Sequence, residues 1–114
     1  DAVEGVLRVL SKNPPVLRDL DLSLLAGVLS HTDLYLGHDS GVTHLAALLG
    51  VRTVSVFGPT DPDRWAPHGR HVTILRGASC VCSTWQAVKN CHEKPCFDLR
   101  IEEILTTLRL AMSA

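Results

Sequence analysis

Two short stretches carry residue types and spacings that could do chemistry. The first is Gly37-His38-Asp39-Ser40-Gly41-Val42-Thr43-His44 and the second is Phe57-Gly58-Pro59-Thr60-Asp61-Pro62. Gly41 removes a side chain where the backbone would turn into a helix, so the unpaired amides of a first turn could come close to an anion. Free N–H groups and the positive end of the helix dipole both favour a phosphate there. A plainer reading fits the same spacing: Asp39 or Ser40 caps the helix and Gly41 only fits the turn. His44 falls in the first turn, with a ring nitrogen able to serve a ligand or a purely structural hydrogen bond. Asp39 beside an anion would repel it, so its fitting partners are sugar hydroxyls or its own loop.

These stretches need elements to position them. Leu34, Tyr35 and Leu36 form an apolar run too short for a helix and bounded by Asp33 and Gly37, which predicts a buried strand. Beyond the first stretch, Val42, Leu45, Ala46 and Leu49 share one helical face, closed by Gly50 where a left-handed cap is expected. Val51 to Phe57 reads as a second strand. About fourteen residues lie between the strands, the length of a right-handed crossover joining parallel neighbours. Both stretches then leave the carboxyl ends of adjacent parallel strands, where open α/β sheets bind ligands.

The flanking chain completes an α/β pattern. Val3, Val6, Leu7 and Leu10 predict a first helix stopped by Asn13, Pro14 and Pro15. Asp21 or Ser23 can cap a second helix with Leu24, Leu25, Val28 and Leu29 on its buried stripe, ending near Ser30. Val72, Ile74 and Leu75 suggest a third strand. Ile101, Ile104, Leu105 and Leu108 mark a closing helix, with Asp98 as its cap and Glu102 and Glu103 suited to the dipole. The expected organisation is a single, partial domain over 1–114, interrupted at 78–97 by a cysteine-rich irregular insertion.

Composition narrows the function. The chain has 114 residues, 46% of them hydrophobic, enough for one core. Eleven Lys and Arg against 12 Asp and Glu leave a net charge of -1, with no field to draw a nucleic-acid backbone. No apolar run reaches the length of a transmembrane segment and no signal-peptide pattern opens the chain, so a soluble, cytoplasmic protein is expected. Because the chain starts at Asp1 and its only methionine is Met112, a segment of a longer protein is expected. Residues 37–41 do not fit the Gly-x-Ser-x-Gly frame of a hydrolase nucleophile, and there is neither a Gly-x-Gly-x-x-Gly nor a lysine-bearing phosphate loop. Cys80, Cys82, Cys91 and Cys96 crowd into one stretch without the paired two-residue gaps of zinc knuckles. A structural zinc, reduced thiols and disulfides all remain open for them.

The block Asp33-Leu-Tyr-Leu-Gly-His-Asp-Ser-Gly-Val-Thr-His-Leu-Ala-Ala-Leu-Leu-Gly50, followed by Thr53-Val-Ser-Val-Phe-Gly-Pro-Thr-Asp-Pro62 and Pro67-His-Gly69, resembles the family-9 glycosyltransferases, the ADP-heptose:lipopolysaccharide heptosyltransferases and their relatives. The likeness covers residues 19–76 well and the closing helix loosely. It implies a GT-B architecture, a Rossmann-like parallel sheet with flanking helices, of which this chain is most of the C-terminal, donor-binding half. It further implies a nucleotide-sugar donor, a lipopolysaccharide-core glycolipid as acceptor, inversion at the anomeric carbon and no catalytic metal or other cofactor. By the same likeness the Gly41–His44 helix start meets the donor diphosphate and Asp39 the transferred sugar. The Thr60–Asp61 loop, entered through Gly58 and Pro59, walls the cleft. The family's general base belongs to the N-terminal half and has no counterpart here, so no catalytic residue is assigned and the chain alone is expected to be inactive. The likeness also implies a strand and loop ahead of Asp1 that bring a hydroxyl residue and a lysine toward the phosphates, so donor binding by these residues alone is expected to be weak. In the whole protein, association with the inner face of the membrane would be peripheral. Two other readings stand: a GT-B enzyme using a UDP-sugar, and a non-enzymatic binding module stabilised by metal at the cysteines.

Overall fold

The β-branched run Arg52–Val56 becomes the central strand of a three-stranded parallel sheet. The computed structural model describes residues 1–78 and 82–113. In chain order the elements are α1 (Ala2–Val9), α2 (Leu22–Ser30), β1 (Leu34–His38), α3 (Gly41–Leu48), β2 (Arg52–Val56), α4 (Pro62–Trp65), β3 (Val72–Leu75), α5 (Trp85–Asn90), a 3-10 turn (Pro95–Phe97) and α6 (Ile101–Ser113). The sheet order is β1-β2-β3, with Leu34 opposite Arg52, His38 opposite Val56 and Val56 opposite Leu75. The Rossmann-like α/β class expected from the sequence is therefore present, and the three strands end in step.

Consecutive residues of a strand point to opposite faces. Thr53, Val54 and Ser55 are all buried, so both faces of β2 are covered, and α3 and α6 both pack on it. Leu29 of α2, Ala46 of α3 and Val51 form the core cluster with Leu25, Tyr35 and Leu45 against them. The buried stripe of α3 is shifted by one residue from the sequence expectation. Thr43, Ala46 and Ala47 are buried, whereas Val42 and Leu49 are 37% and 41% exposed. Two alanines let the helix lie close to the sheet, and Thr43 satisfies its hydroxyl within the turn. Gly50 adopts the expected left-handed conformation, φ +81°.

Other expectations need correction. β1 is an edge strand, and Leu36 is 48% exposed instead of buried. Stretch 78–97, expected to be irregular, contains α5 and the 3-10 turn among its described residues. Asp98 does not cap α6. Its N–H closes the 3-10 turn on the Pro95 carbonyl (3.1 Å), and the Arg100 carbonyl accepts the first bonds of α6, from Glu103 (3.1 Å) and Ile104 (3.3 Å). No residue of α1 is buried. Among the described residues no helix is long and apolar enough to cross a membrane.

Beyond β3 the chain is tied to the 3-10 turn: Gly77 N–H donates to the Cys96 carbonyl at 2.8 Å and Ala78 N–H to that of Pro95 at 3.0 Å. A Cβ on Gly77 would press on the Pro95 carbonyl and on the Asp98 backbone nitrogen at 2.8 Å. Backbone cannot swing aside as a side-chain tip can. Gly77→Ala is expected to destabilise the chain by about 1–3 kcal/mol, the usual cost of overpacking. Urea unfolding followed by circular dichroism checks it, and an unchanged midpoint would show that this tie does not hold the fold.

Candidate functional site

Because His38 pairs with Val56, the chain leaves β1 and β2 side by side at one edge of the sheet. The first loop reaches α3 through Ser40, whose extended backbone and side chain make it the N-cap: its hydroxyl accepts from the Thr43 N–H at 3.4 Å. The Ser40 carbonyl accepts from His44 N–H at 3.2 Å. That bonding leaves the amides of Gly41 and Val42 without a partner among the described residues. Gly41 and Val42 are both exposed, and a Cβ built on Gly41 would find no neighbouring atom within 4 Å, so the turn is uncovered at this point. Ser40 therefore caps one donor, as the plainer reading of the turn expects, and the amides of Gly41 and Val42 are left over.

Thr43, expected among the ligand contacts, is instead consumed by the turn. Its side chain is fully buried, with its hydroxyl bonded to the His38 carbonyl and lying 3.2 Å from the Tyr35 hydroxyl and 3.1 Å from that of Ser40. It holds β1 to the start of α3 and cannot itself reach a ligand. Asp39 and His44 flank the open amides. Asp39 Oδ1 stands 3.9 Å from His44 Nε2, outside hydrogen-bond range, with the side chains 23% and 36% exposed respectively. Both polar groups keep capacity for a further partner. Val42 lies at the surface beside them.

On the second loop, Gly58 is buried, and a side chain there would collide with the Phe97 ring, so this glycine serves close packing. Pro59 accepts from Cys82 N–H through its carbonyl at 3.2 Å, tying the loop to the segment before α5. Asp61, placed by the sequence in the cleft wall, caps α4: its Oδ1 accepts from Asp63 N–H at 3.0 Å. Pro59 and Thr60 do line a cleft, of about 340 Å³, together with Trp65, Ser83, Thr84 and Trp85. Residues 39–44 do not line it, so the expected site resolves into two neighbouring parts, an open amide corner at α3 and an aromatic-walled cleft beyond Pro59. Nothing in the spacing drew attention to Trp65, Ser83, Thr84 or Trp85. The available signals were two helix starts, Asp61-Pro62 and Thr84, whose hydroxyl accepts from Ala87 N–H at 3.1 Å.

Of the cysteines considered for zinc, Cys80 lies outside the described residues. Cys82, Cys91 and Cys96 border one space of about 10 Å³ beside Pro59 and Phe97, scarcely room for one water. Among the described residues no group of three or more His, Cys, Asp or Glu side chains is arranged to hold a metal.

A three-stranded parallel sheet flanked by helices, with a helix start at its carboxyl edge, places the chain among the open α/β architectures, which as a class bind their ligands at that edge. The particular family follows from comparison. The family described as Glycosyltransferase family 9 (heptosyltransferase) matches residues 6–96, and this chain belongs to it. It is 35% identical over 103 residues to "Lipopolysaccharide heptosyltransferase 1" of Pseudomonas aeruginosa, covering 87% of this chain and 29% of that protein. To "Lipooligosaccharide heptosyltransferase 2" of Campylobacter jejuni it is 33% identical over 76 residues, covering 64% of this chain and 24% of the other. To "Lipopolysaccharide heptosyltransferase 1" of Escherichia coli it is 32% identical over 81 residues, with coverages of 69% and 25%. The chain thus spans between 24% and 29% of the length of these curated relatives. A crystal structure of a family 9 glycosyl transferase from Veillonella parvula shares the fold, with a TM-score of 0.83, 21% identity, and coverage of 98% of this chain and 33% of that one.

Proposed function

We infer that this chain is the donor-binding part of an inverting glycosyltransferase of lipopolysaccharide-core assembly, taking a nucleotide-diphospho-sugar, ADP-heptose first among them. One observation carries the reading: at the sheet edge, the exposed residues Gly41 and Val42 carry two amides with no partner among the described residues, on a turn where the Asp39 carboxylate and the His44 ring stand 3.9 Å apart. Two N–H groups and a helix end suit the diphosphate. The carboxylate suits the hydroxyls of the attached sugar, and the Pro59–Thr60 turn bounds the same edge. The acceptor is a lipopolysaccharide-core glycolipid whose reacting hydroxyl is engaged through parts of the enzyme beyond this sequence, and the work is done at the cytoplasmic face of the membrane.

Chemically, glycosyl transfer builds charge on the departing diphosphate. Preorganised amides oppose that cost, and one well-aimed donor is worth on the order of 3–4 kcal/mol in comparable oxyanion sites. Deprotonating the acceptor hydroxyl needs a positioned base worth about 10²–10⁴-fold. Asp39 is occupied with the donor sugar in this reading and no residue of this chain is assigned the base's role, so the chain binds donor without turning it over.

The test is thermal unfolding with ADP and, separately, UDP. ADP at about 100 times its dissociation constant is expected to add about 2.7 kcal/mol of stability. Stabilisation by UDP in preference to ADP would reassign the donor to the UDP-sugars. No response to either nucleotide at millimolar concentration, with stoichiometric zinc in the purified protein, would replace the reading with a metal-stabilised binding module.

A further inference from the structure

The chain has two tryptophans, and both line the same cleft. Trp65 ends α4 and is 54% exposed; Trp85 opens α5 and is 74% exposed. Large aromatic rings left in water at opposite ends of a folded segment are unusual unless something covers them. Short helices with caps of their own hold them there. Asp61 fixes α4, Thr84 fixes α5, and the bond from Cys82 N–H to the Pro59 carbonyl joins the two segments. Thr60, Ser83 and Thr84 are hydroxyl-bearing residues of the lining, and among the described residues that border the space Cys82 alone has an ionisable side chain. A volume of about 340 Å³ lies within the range of small-molecule sites.

The geometry points to a subsite for a neutral sugar ring, its apolar face stacked on the indoles and its hydroxyls meeting Thr60, Ser83 and Thr84. Among the described residues that line this cleft there is no cation for a phosphate to meet. An aliphatic chain would leave three hydroxyls without partners. Residues 39–44 do not line this cleft, so the subsite stands on its own observations. Its sugar has two sources: a saccharide unit of an acceptor, or the transferred residue of a donor, which would then lie here and not at Asp39.

With only two indoles in the chain, their N–H signals in a heteronuclear NMR spectrum report on this cleft alone. The 114-residue chain is titrated with methyl α-glucopyranoside and methyl α-mannopyranoside, with ADP, with ADP-glucose, and with adenosine. Both indole signals are expected to move saturably with at least one glycoside. Trp85→Ala is expected to weaken that binding at least about fivefold, the low end of what an aromatic stacking platform contributes, and Trp85→Phe to restore most of it. Because Trp85 is exposed, the remaining spectrum of either variant verifies an unchanged fold. Glycoside shifts that persist beside saturating ADP assign the ring to an acceptor; shifts seen with ADP-glucose and abolished by free ADP assign it to the donor. Indole signals that ignore every sugar, or that follow adenosine alone, overturn the proposal. Failure of ADP to stabilise the chain leaves the glycoside shifts unaffected, so the two readings fail separately.

Discussion

Phe57→Ala is expected to destabilise this chain by about 3–5 kcal/mol, the range for deleting a buried aromatic ring. The ring is fully buried at the end of β2, and its N–H donates to the Leu75 carbonyl at 2.8 Å, carrying the β2–β3 pairing one residue past the strand. Against a total of about 5–15 kcal/mol for a domain of this size, such a loss takes a large share. It also acts on function, because Phe57 is the last fixed point before the Gly58–Asp61 loop. Chemical denaturation of the wild-type and variant chains measures it directly. A cost under about 1 kcal/mol would mean that the ring's cavity refills from neighbours, a degree of collapse that close-packed interiors rarely allow.

Gly41→Val separates binding from folding. A Cβ at this position meets nothing within 4 Å, so the fold should accept it with a change in stability below about 1 kcal/mol. The branched side chain would nevertheless stand over the two free amides. If these hold a diphosphate as oxyanion donors do, ADP affinity is expected to fall by about 10²–10³-fold. Asp39→Ala should leave ADP affinity nearly intact while weakening the full nucleotide-sugar, since the proposed reading gives its carboxylate to the sugar hydroxyls. Calorimetric titration of both variants with both ligands reads the split. Equal losses for ADP and nucleotide-sugar in Asp39→Ala would remove the sugar role from that residue.

Much of this architecture was legible in the residues. Three strands, the crossover helix and the left-handed Gly50 follow from apolar runs and glycine placement. What stayed hidden has physical reasons. The face of α3 was misread because hydrophobicity ranked Val42 and Leu49 above Thr43, whereas a hydroxyl bonded to a strand carbonyl buries without penalty. α4 has four residues and α5 six, too few for a helical period to show, and both are set by caps rather than by an apolar stripe. Asp98 looked like a cap because it precedes an amphipathic run, yet Pro95 had already started a tighter turn that consumed its N–H. At the site, the start of α3 at Gly41 after a capping Ser40 follows from the residues themselves. The burial of Thr43 and the capping duty of Asp61 depend on hydrogen bonds that no spacing displays, and the tryptophan cleft depends on two segments 20 positions apart being brought together through Pro59 and Cys82.

The account rests on two backbone N–H groups, and these can be watched one by one. In an amide NMR titration of the 114-residue chain, the Gly41 and Val42 signals are expected to shift saturably with ADP and to stay in place with adenosine, which lacks the diphosphate. If ADP binds while both signals remain still, or if adenosine moves them as far as ADP does, the diphosphate is not held at the start of α3 and the proposed donor site is contradicted.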